Sequence, residues 1–271
     1  MSMDAVDRAG TDRTAADDQA PVLNVAAYRF VEVADTAALA ETVRAQVSAR
    51  DLRGTVLVAE EGINLFLAGA PAQVRGLLDW LRSDPRFVGL VAKESWSAHV
   101  PFARLKVKRK RAIIPFRDGA GAAVRCDTPV PSLDPRTLAR WIAAGHDDAG
   151  RPLVLLDTRN REETAQGSFA GALTLPIDDF AQLPAALDAR REALAGAAVV
   201  GFCTGGIRCE KAVPWMRANG YGDVLQLEGG ILGYFEQVGG QGYAGRCFVF
   251  DERVALDPAL RPLVDRPVAP V

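Results

Sequence analysis

From position 22 onward, apolar residues recur along the chain with periods of two and of about 3.6 in turn. VLNVAAYRFVEV predicts a strand. Asp35 is placed to cap a helix over TAALAETVRAQVSARD, where Leu39, Val43 and Val47 share one face. GTVLVAEEGINLFLAG predicts two strands around a turn at Glu60, Glu61 and Gly62. PAQVRGLLDWLRSD predicts a helix opened by Pro71. FVGLVAKESWSA and FARLKVKRKRAIIPF predict two further strands. A βαββα order followed by two strands predicts a ferredoxin-like α+β domain over about 21–116.

After RDGAGAAVRCDTPV, a Gly/Ala-rich linker at 117–130, the pattern changes. PSLDPRTLARWIAAG predicts a helix capped by Ser132 or Asp134. PLVLLDTR and AVVGFCTGG are continuous apolar runs with polar ends, as buried parallel strands are. GSFAGALTLPI and DVLQLEGG hold shorter strands. FAQLPAALDARREALAG, RCEKAVPWMRANGY and ILGYFEQVG predict helices, the second ending near Asn219 and Gly220. Strands alternating with helices predict a second domain, a parallel α/β fold over 131–245. Residues 246–271 form a tail with a strand at CFVFDERV, and the polar residues 1–20 are expected to be disordered.

The 271 residues suit two domains, and 49% hydrophobic with 24% charged residues is ordinary globular composition. A net charge of −2 creates no global field towards nucleic acid or membrane, so any such attraction must be local. No apolar run reaches the ~20 residues of a bilayer span, and the N-terminus lacks the order of a signal peptide, so a cytoplasmic location is expected. Cys126, Cys203, Cys209 and Cys247 show no CxxC pair, which argues against zinc and for free thiols.

Chemistry concentrates in VVGFCTGGIRCEKA. Cys203 sits where a buried strand hands over to a helix, the usual place for active sites in open parallel sheets. Thr204, Gly205, Gly206 and Ile207 form a turn whose backbone N–H groups can point at the sulfur. The helix from Cys209 adds its positive end, and Arg208 adds a full charge. Together these favour a thiolate, with a pKa lowered to roughly 4–7. The competing account is a buried cysteine beside a glycine turn. The spacing is Cys-x4-Arg, one residue shorter than the phosphate-encircling loop of cysteine phosphatases.

This loop resembles that of rhodaneses. CTGGIRCEKA, with LDTRN at 156–160, LEGGILGYFE, CFVFDERV, EEGINLFLAG and the PF-x2-LKVK stretch at 101–108, is similar to one rhodanese-domain family, the bacterial tRNA uridine hydroxylases. The likeness covers roughly 22–254. It implies a rhodanese-like second domain and oxygen-dependent hydroxylation at carbon 5 of the wobble uridine, giving 5-hydroxyuridine. It implies molecular oxygen as co-substrate and tRNA as partner, and it suggests no metal or flavin; neither a membrane nor DNA is expected as a partner. It also implies that Cys203 matches the family's essential cysteine, a persulfide carrier by analogy. The chain departs from the rhodanese pattern at Gly167-Ser168-Phe169, where a histidine is common in the middle position, and has Ala112 where many relatives are acidic.

Arg104, Lys106, Lys108 and Lys110 alternate along one strand and are candidates for RNA phosphates, or else a lysine-guarded sheet edge. Asp157 and Arg159 end a central strand. They either orient the cysteine loop through an ion pair or leave Arg159 to meet a phosphate, while Glu163 caps the loop's donors. Cys209 is either a resolving thiol or helix packing. Glu210 and Lys211 open a helix, and Glu60 and Glu61 read as turn residues. Tyr28, Trp96 and Phe102 stack on bases or fill the core. His99 and His146 have no assigned partner. A sulfurtransferase carrying a cysteine persulfide is the alternative reading, and a binding module with an inactive loop is a third. The oligomeric state stays open.

Overall fold

Two five-stranded sheets carry the chain. The computed structural model describes residues 21–117 and 129–269. The segment 1–20, Cys126 and nearly all of the expected linker lie outside the described residues. In the first sheet, β1 (Val22–Phe30), β2 (Arg53–Ala59), β3 (Gly62–Gly69), β4 (Val91–Ser97) and β5 (Leu105–Arg109) lie in the order β4-β1-β3-β2-β5. β1 is antiparallel to β3 and β4, β2 is antiparallel to β3, and β5 is parallel to β2. The first four strands with α1 (Thr36–Ser48) and α2 (Pro71–Arg82) make the ferredoxin-like arrangement, and β5 widens it at the β2 edge.

Alternation splits this sheet into two faces. Leu23 and Val25 of β1, Val56 and Val58 of β2, and Ile63, Leu65 and Leu67 of β3 pack against Leu39, Val43 and Val47 of α1 and Val74, Leu77 and Leu81 of α2. Asp35 precedes α1 but makes no side-chain cap. Its carboxylate is drawn instead to Arg86, an ion pair that outcompetes the backbone N–H groups.

The second sheet has the order β6-β11-β10-β7-β9, from β6 (Ser132–Leu133), β7 (Leu153–Asp157), β9 (Leu173–Thr174), β10 (Ala198–Phe202) and β11 (Leu225–Leu227), and every pairing is parallel. All five residues of β10 are buried. One face is covered by α5 (Leu183–Asp188), α6 (Arg191–Leu194) and α7 (Cys209–Ala218), through Leu183, Leu187, Leu194, Val213 and Met216. The other is covered by α3 (Pro135–Ala144) and α8 (Gly230–Gln237), through Leu138, Trp141, Ile231 and Phe235. Asp134 caps α3, accepting from the N–H groups of Arg136 and Thr137. The one-turn α4 (Arg161–Thr164) follows β7. β8 (Gly167–Phe169) pairs with β12 (Tyr243–Gly245), and β13 (Cys247–Phe248) pairs with β14 (Ala255–Leu256). No helix among the described residues is long and apolar enough to cross a membrane.

The two sheets are tied together by polar contacts. Lys211 Nζ, at the start of α7, donates to both carboxylate oxygens of Glu61 (2.9 and 2.8 Å) and to the Ile114 carbonyl (2.9 Å). Glu61 also accepts from the Ile113 N–H at 2.8 Å. Glu61 is therefore more than a turn residue, and Lys211 does more than open a helix. The C-terminal segment crosses back to the first domain. Arg253 donates to Ser95 Oγ at 2.7 Å, and Asp265 accepts from the N–H groups of Ala98 and His99.

Lys211 is 1% exposed, so removing its partner leaves a buried charge uncompensated. Glu61→Leu and Lys211→Met are each expected to lower unfolding free energy by about 3 kcal/mol. The double variant is expected to recover much of that loss. Urea denaturation of the four proteins checks the coupling.

Candidate active site

Cys203 follows β10 directly, and its loop is pinned from two sides. The N–H groups of Ile231 and Leu232, in the first turn of α8, donate to the carbonyls of Cys203 and Thr204 at 2.9 and 3.0 Å. This close approach explains the second glycine of LEGG. Gly230 has φ +62°, and a Cβ there would lie 2.5 Å from the Cys203 carbonyl. On the other side the Gly206 N–H points at Cys203 Sγ, 3.1 Å away. Gly206 has φ +101°, and a Cβ on it would meet the Tyr28 hydroxyl at 2.8 Å. Gly205 needs neither a positive φ nor the space. Only one of the two glycines expected to be required by the turn is required on steric grounds.

Burial pushes the Cys203 thiol up. A hydrogen bond from the Cys209 thiol, the Arg208 charge and the N–H groups of Arg208 and Gly206 outweigh it and bring the thiol down to about 6. Cys209 moves the opposite way, because it donates to the Cys203 sulfur and is itself buried. Arg208 does not stand free over the thiolate. Its two terminal nitrogens donate to Glu163 at 2.7 and 2.6 Å. Glu163 also closes a capping box with Asn160 at the start of α4 and accepts from Thr204 Oγ1 at 3.4 Å. The expected capping role of Glu163 thus extends to holding Arg208.

Asp157 and Arg159 are brought together, but away from the cavity. Arg159 Nε and Nη2 donate to Asp157 at 2.9 and 2.7 Å, and both side chains are fully buried. Arg159 is not among the cavity's lining residues. The pair braces the backbone behind the loop, with Arg159 also donating to the Gly167 carbonyl at 2.6 Å and Ser168 Oγ to Asp157 at 2.7 Å. Ser168, where histidine is common, therefore serves this same brace. Thr158, between them, donates from its N–H and hydroxyl to the Phe202 carbonyl.

Cys203, Thr204, Gly205, Ile207 and Arg208 line a cavity of about 830 Å³ between the two domains. The opposite wall comes from the sheet face that α1 and α2 leave uncovered, with Ala26, Tyr28, Leu57, Asn64 and Phe66. Tyr28 OH donates to Glu210 Oε1 at 3.1 Å, and burial, then the nearby Glu210 and cysteine charges, hold it firmly protonated. Glu210 is thus engaged across the domain interface as well as at a helix start. Phe250, from the C-terminal segment, completes the rim. It is 53% exposed, 6.5 Å from the Phe66 ring, with the Arg208 guanidinium 5.9 Å from its own ring. The sequence pattern does not single out Phe250. Its signal is an aromatic residue in CFVFDERV, whose use depends on where the segment lands.

Trp96 and Phe102 are not among the cavity's lining residues. His99 Nδ1 lies 3.3 Å from Asp265, and His146 Nδ1 lies 2.8 Å from the Asp147 carbonyl, both away from the loop. Arg104, Lys106, Lys108 and Lys110 are all exposed, while Val107 between them is buried. Register places Lys106 beside Thr55, Phe66 and Ala26, and Lys108 beside Leu57, Asn64 and Tyr28. Neighbours in register project to the same side of a sheet, so these lysines share a face with the cavity wall. Among the described residues no group of three His, Cys, Asp or Glu side chains is arranged to hold a metal ion.

A parallel α/β domain with a cysteine in the loop after its central strand, fused to a ferredoxin-like domain, defines a two-domain rhodanese-type protein. Residues 22–113 match the UPF0176 acylphosphatase-like domain and residues 135–237 the rhodanese-like domain. The chain belongs to the tRNA uridine(34) hydroxylase family. It is 61% identical over 244 residues to the tRNA uridine(34) hydroxylase of Xanthomonas euvesicatoria pv. vesicatoria (strain 85-10), across 90% of this chain and 98% of that protein. It is 61% identical over 242 residues to the protein of that name from Xanthomonas axonopodis pv. citri (strain 306), across 89% and 97% of the two chains. The corresponding protein of Xanthomonas oryzae pv. oryzae (strain PXO99A) is 59% identical over 244 residues, across 90% of this chain and 96% of its own.

Thiolate formation at Cys203 is expected to show in its alkylation. The iodoacetamide rate should rise with pH through a midpoint near 6, whereas Cys247, pushed up to about 12 by burial, should stay unreactive. Arg208→Met removes a charge that favours the thiolate, so its midpoint should lie above that of the wild type. Peptide mass spectrometry after timed labelling reads both.

Proposed function

We propose that this chain hydroxylates carbon 5 of the wobble uridine, position 34, of tRNA, with Cys203 as nucleophile and molecular oxygen as co-substrate. The observation that carries this reading is the shared sheet face. The Lys106 and Lys108 rows run, over three strand spacings or roughly 14 Å, into the wall opposite the cysteine loop. Phosphates held on the β5 edge leave a splayed base free to enter the cavity. Anticodon bases are single-stranded and can be extruded at modest cost. The cavity's size lies in the roughly 300–1,000 Å³ range of ligand sites. Family membership supports the same substrate.

Within the cavity, the Cys203 thiolate adds to carbon 6 of the uracil ring. The electron pair displaced onto carbon 5 makes that carbon the nucleophile towards oxygen. Arg208, fixed by Glu163, compensates charge on the loop, and the loop N–H groups keep the thiolate a good leaving group. Phe250 stacks on the entering base or its neighbour, an interaction worth about 1–3 kcal/mol per base in single-strand recognition. Thr204, Ile207 and Gly205 shape the floor, and Asp157 with Arg159 brace it from behind.

Nucleoside mass spectrometry of tRNA from a gene-deletion strain tests the reading. Wild type should restore 5-hydroxyuridine derivatives and Cys203→Ala should not. Unchanged hydroxyuridine together with a loss of thiosulfate turnover would establish a sulfurtransferase instead. With the purified protein, Phe250→Ala should raise the KM for tRNA roughly tenfold and change kcat less. Lys106→Ala/Lys108→Ala should weaken tRNA binding and lower the slope of log K against log salt by about 1.4.

A further inference from the structure

Hydroxylation by molecular oxygen carries an electron requirement. One oxygen atom stays on carbon 5, and the other leaves as water only if two electrons and two protons are supplied. Two thiols closing to a disulfide release both. Written as a whole, U–H + O₂ + 2 RSH gives U–OH + RS–SR + H₂O, which balances in atoms and electrons.

The site contains such a pair in a front-and-back arrangement. Cys203 lines the cavity. Cys209, at the first position of α7, lies behind it and takes no part in the cavity lining. Both residues are buried in one apolar cluster. The Cys209 sulfur is 3.7 Å from Thr158 Oγ1, and a Cβ placed on Gly201 of β10 would come within 3.9 Å of it, so it sits against the sheet. The two cysteines close around Gly206, whose N–H points at the Cys203 sulfur at 3.1 Å and whose carbonyl accepts from the Cys209 N–H at 2.9 Å. Gly205 has open space around it, which gives the loop room to adjust. The third described thiol, Cys247, is directed at the Phe248 carbonyl 3.7 Å away and belongs to the apolar cluster on the other side of the sheet. The six-residue spacing thus puts one cysteine in the cavity lining and a second, fully buried, beyond it.

We infer that Cys203 and Cys209 are a redox pair that supplies both electrons of the hydroxylation, through a sulfenic acid on Cys203 and a final Cys203–Cys209 disulfide. This rests on the hydroxylation reading above. After thiolate addition at carbon 6, the electron pair at carbon 5 bonds to O₂ and a proton completes a C5 hydroperoxide. The C5 hydrogen leaves as a proton while the C6–S bond breaks, which frees the thiolate and restores the ring double bond. The thiolate attacks the distal peroxide oxygen: an S–O bond forms, the O–O bond breaks, and the uracil oxygen takes a proton. Cys209 then attacks the Cys203 sulfur. The S–S bond forms, the S–O bond breaks, and hydroxide leaves with the Cys209 proton as water. The shared burial of the two cysteines around Gly206 lets this last step outrun further oxidation of the sulfenic acid. A reductant thiol reopens the disulfide from the cavity side, by attack at Cys203.

The test is a single turnover. Reduced, desalted protein is mixed in air-saturated buffer with tRNA carrying unmodified uridine at position 34, without added thiol. About one 5-hydroxyuridine per protein is expected, matched by an equal amount of Cys203–Cys209 peptide disulfide, with Cys247 still reduced. Dithiothreitol should then raise the yield at least about tenfold. Cys209→Ser, shown to be folded by circular dichroism, should complete one turnover, accumulate dimedone-trappable Cys203 sulfenic acid, and lose about tenfold in multiple turnover. Product formed while both thiols remain reduced, or formed only when an external reductant is present from the start, overturns the electron assignment but leaves the hydroxylation intact. No product with or without reductant overturns the hydroxylation reading, and the electron assignment with it.

Discussion

A negative charge on a cysteine that is only 1% exposed has to be stabilised largely by the protein itself, and most of the site is arranged around that constraint. Water solvates the Cys203 thiolate poorly, so fixed dipoles and one compensated cation supply most of its stabilisation. The Gly206 N–H contacts the sulfur, and Arg208 supplies the charge. Arg208 is itself buried, so it needs Glu163, and Glu163 is held in turn by the Asn160 capping box. The chain of dependence runs from the end of β7 through α4 to the loop after β10. Each buried charge is met by another, which is the condition for keeping charges inside a protein at all.

The same constraint explains the second domain. A cysteine loop at the carboxyl edge of a parallel sheet would otherwise open to solvent. The first domain closes it with the sheet face that its helices leave bare. Tyr28 reaches from that face to Glu210 and lies against Gly206, so the loop's geometry is set in part by another domain. Lys211 and Glu61 fix the docking angle, and the C-terminal segment adds Arg253 and Asp265 as further ties. That segment also brings Phe250 to the rim. Three stretches distant in sequence thus enclose one reacting atom.

Much of the fold was legible because it is written locally. Leu39, Val43 and Val47 recur at helical spacing, and β10 is an unbroken apolar run bounded by polar residues. The position of Cys203 at a strand-to-helix junction, and the meaning of Arg208 beside it, could be read from the same pattern. Lys106, Lys108 and Val107 alternate in a way that only a strand satisfies. Asp35 shows the limit of such reading. It stands where a cap belongs, yet Arg86, 51 residues away, takes its carboxylate. Arg159 shows it again, since no local pattern distinguishes an arginine sealed against Asp157 from one that faces a ligand.

The sequence by itself determined the elements, the order of two α/β units, and the place of Cys203 in a glycine loop between strand and helix, because these depend on contacts between near neighbours and on residue chemistry. Tertiary structure decided which face of the first sheet meets the loop, and that the lysines of β5 share that face. It also decided that Glu61, Tyr28 and Phe250 belong to the interface and the cavity, and that Cys209 lies behind Cys203. Those outcomes follow from how two domains and a returning segment pack. Such packing joins residues far apart along the chain, and no periodicity records it.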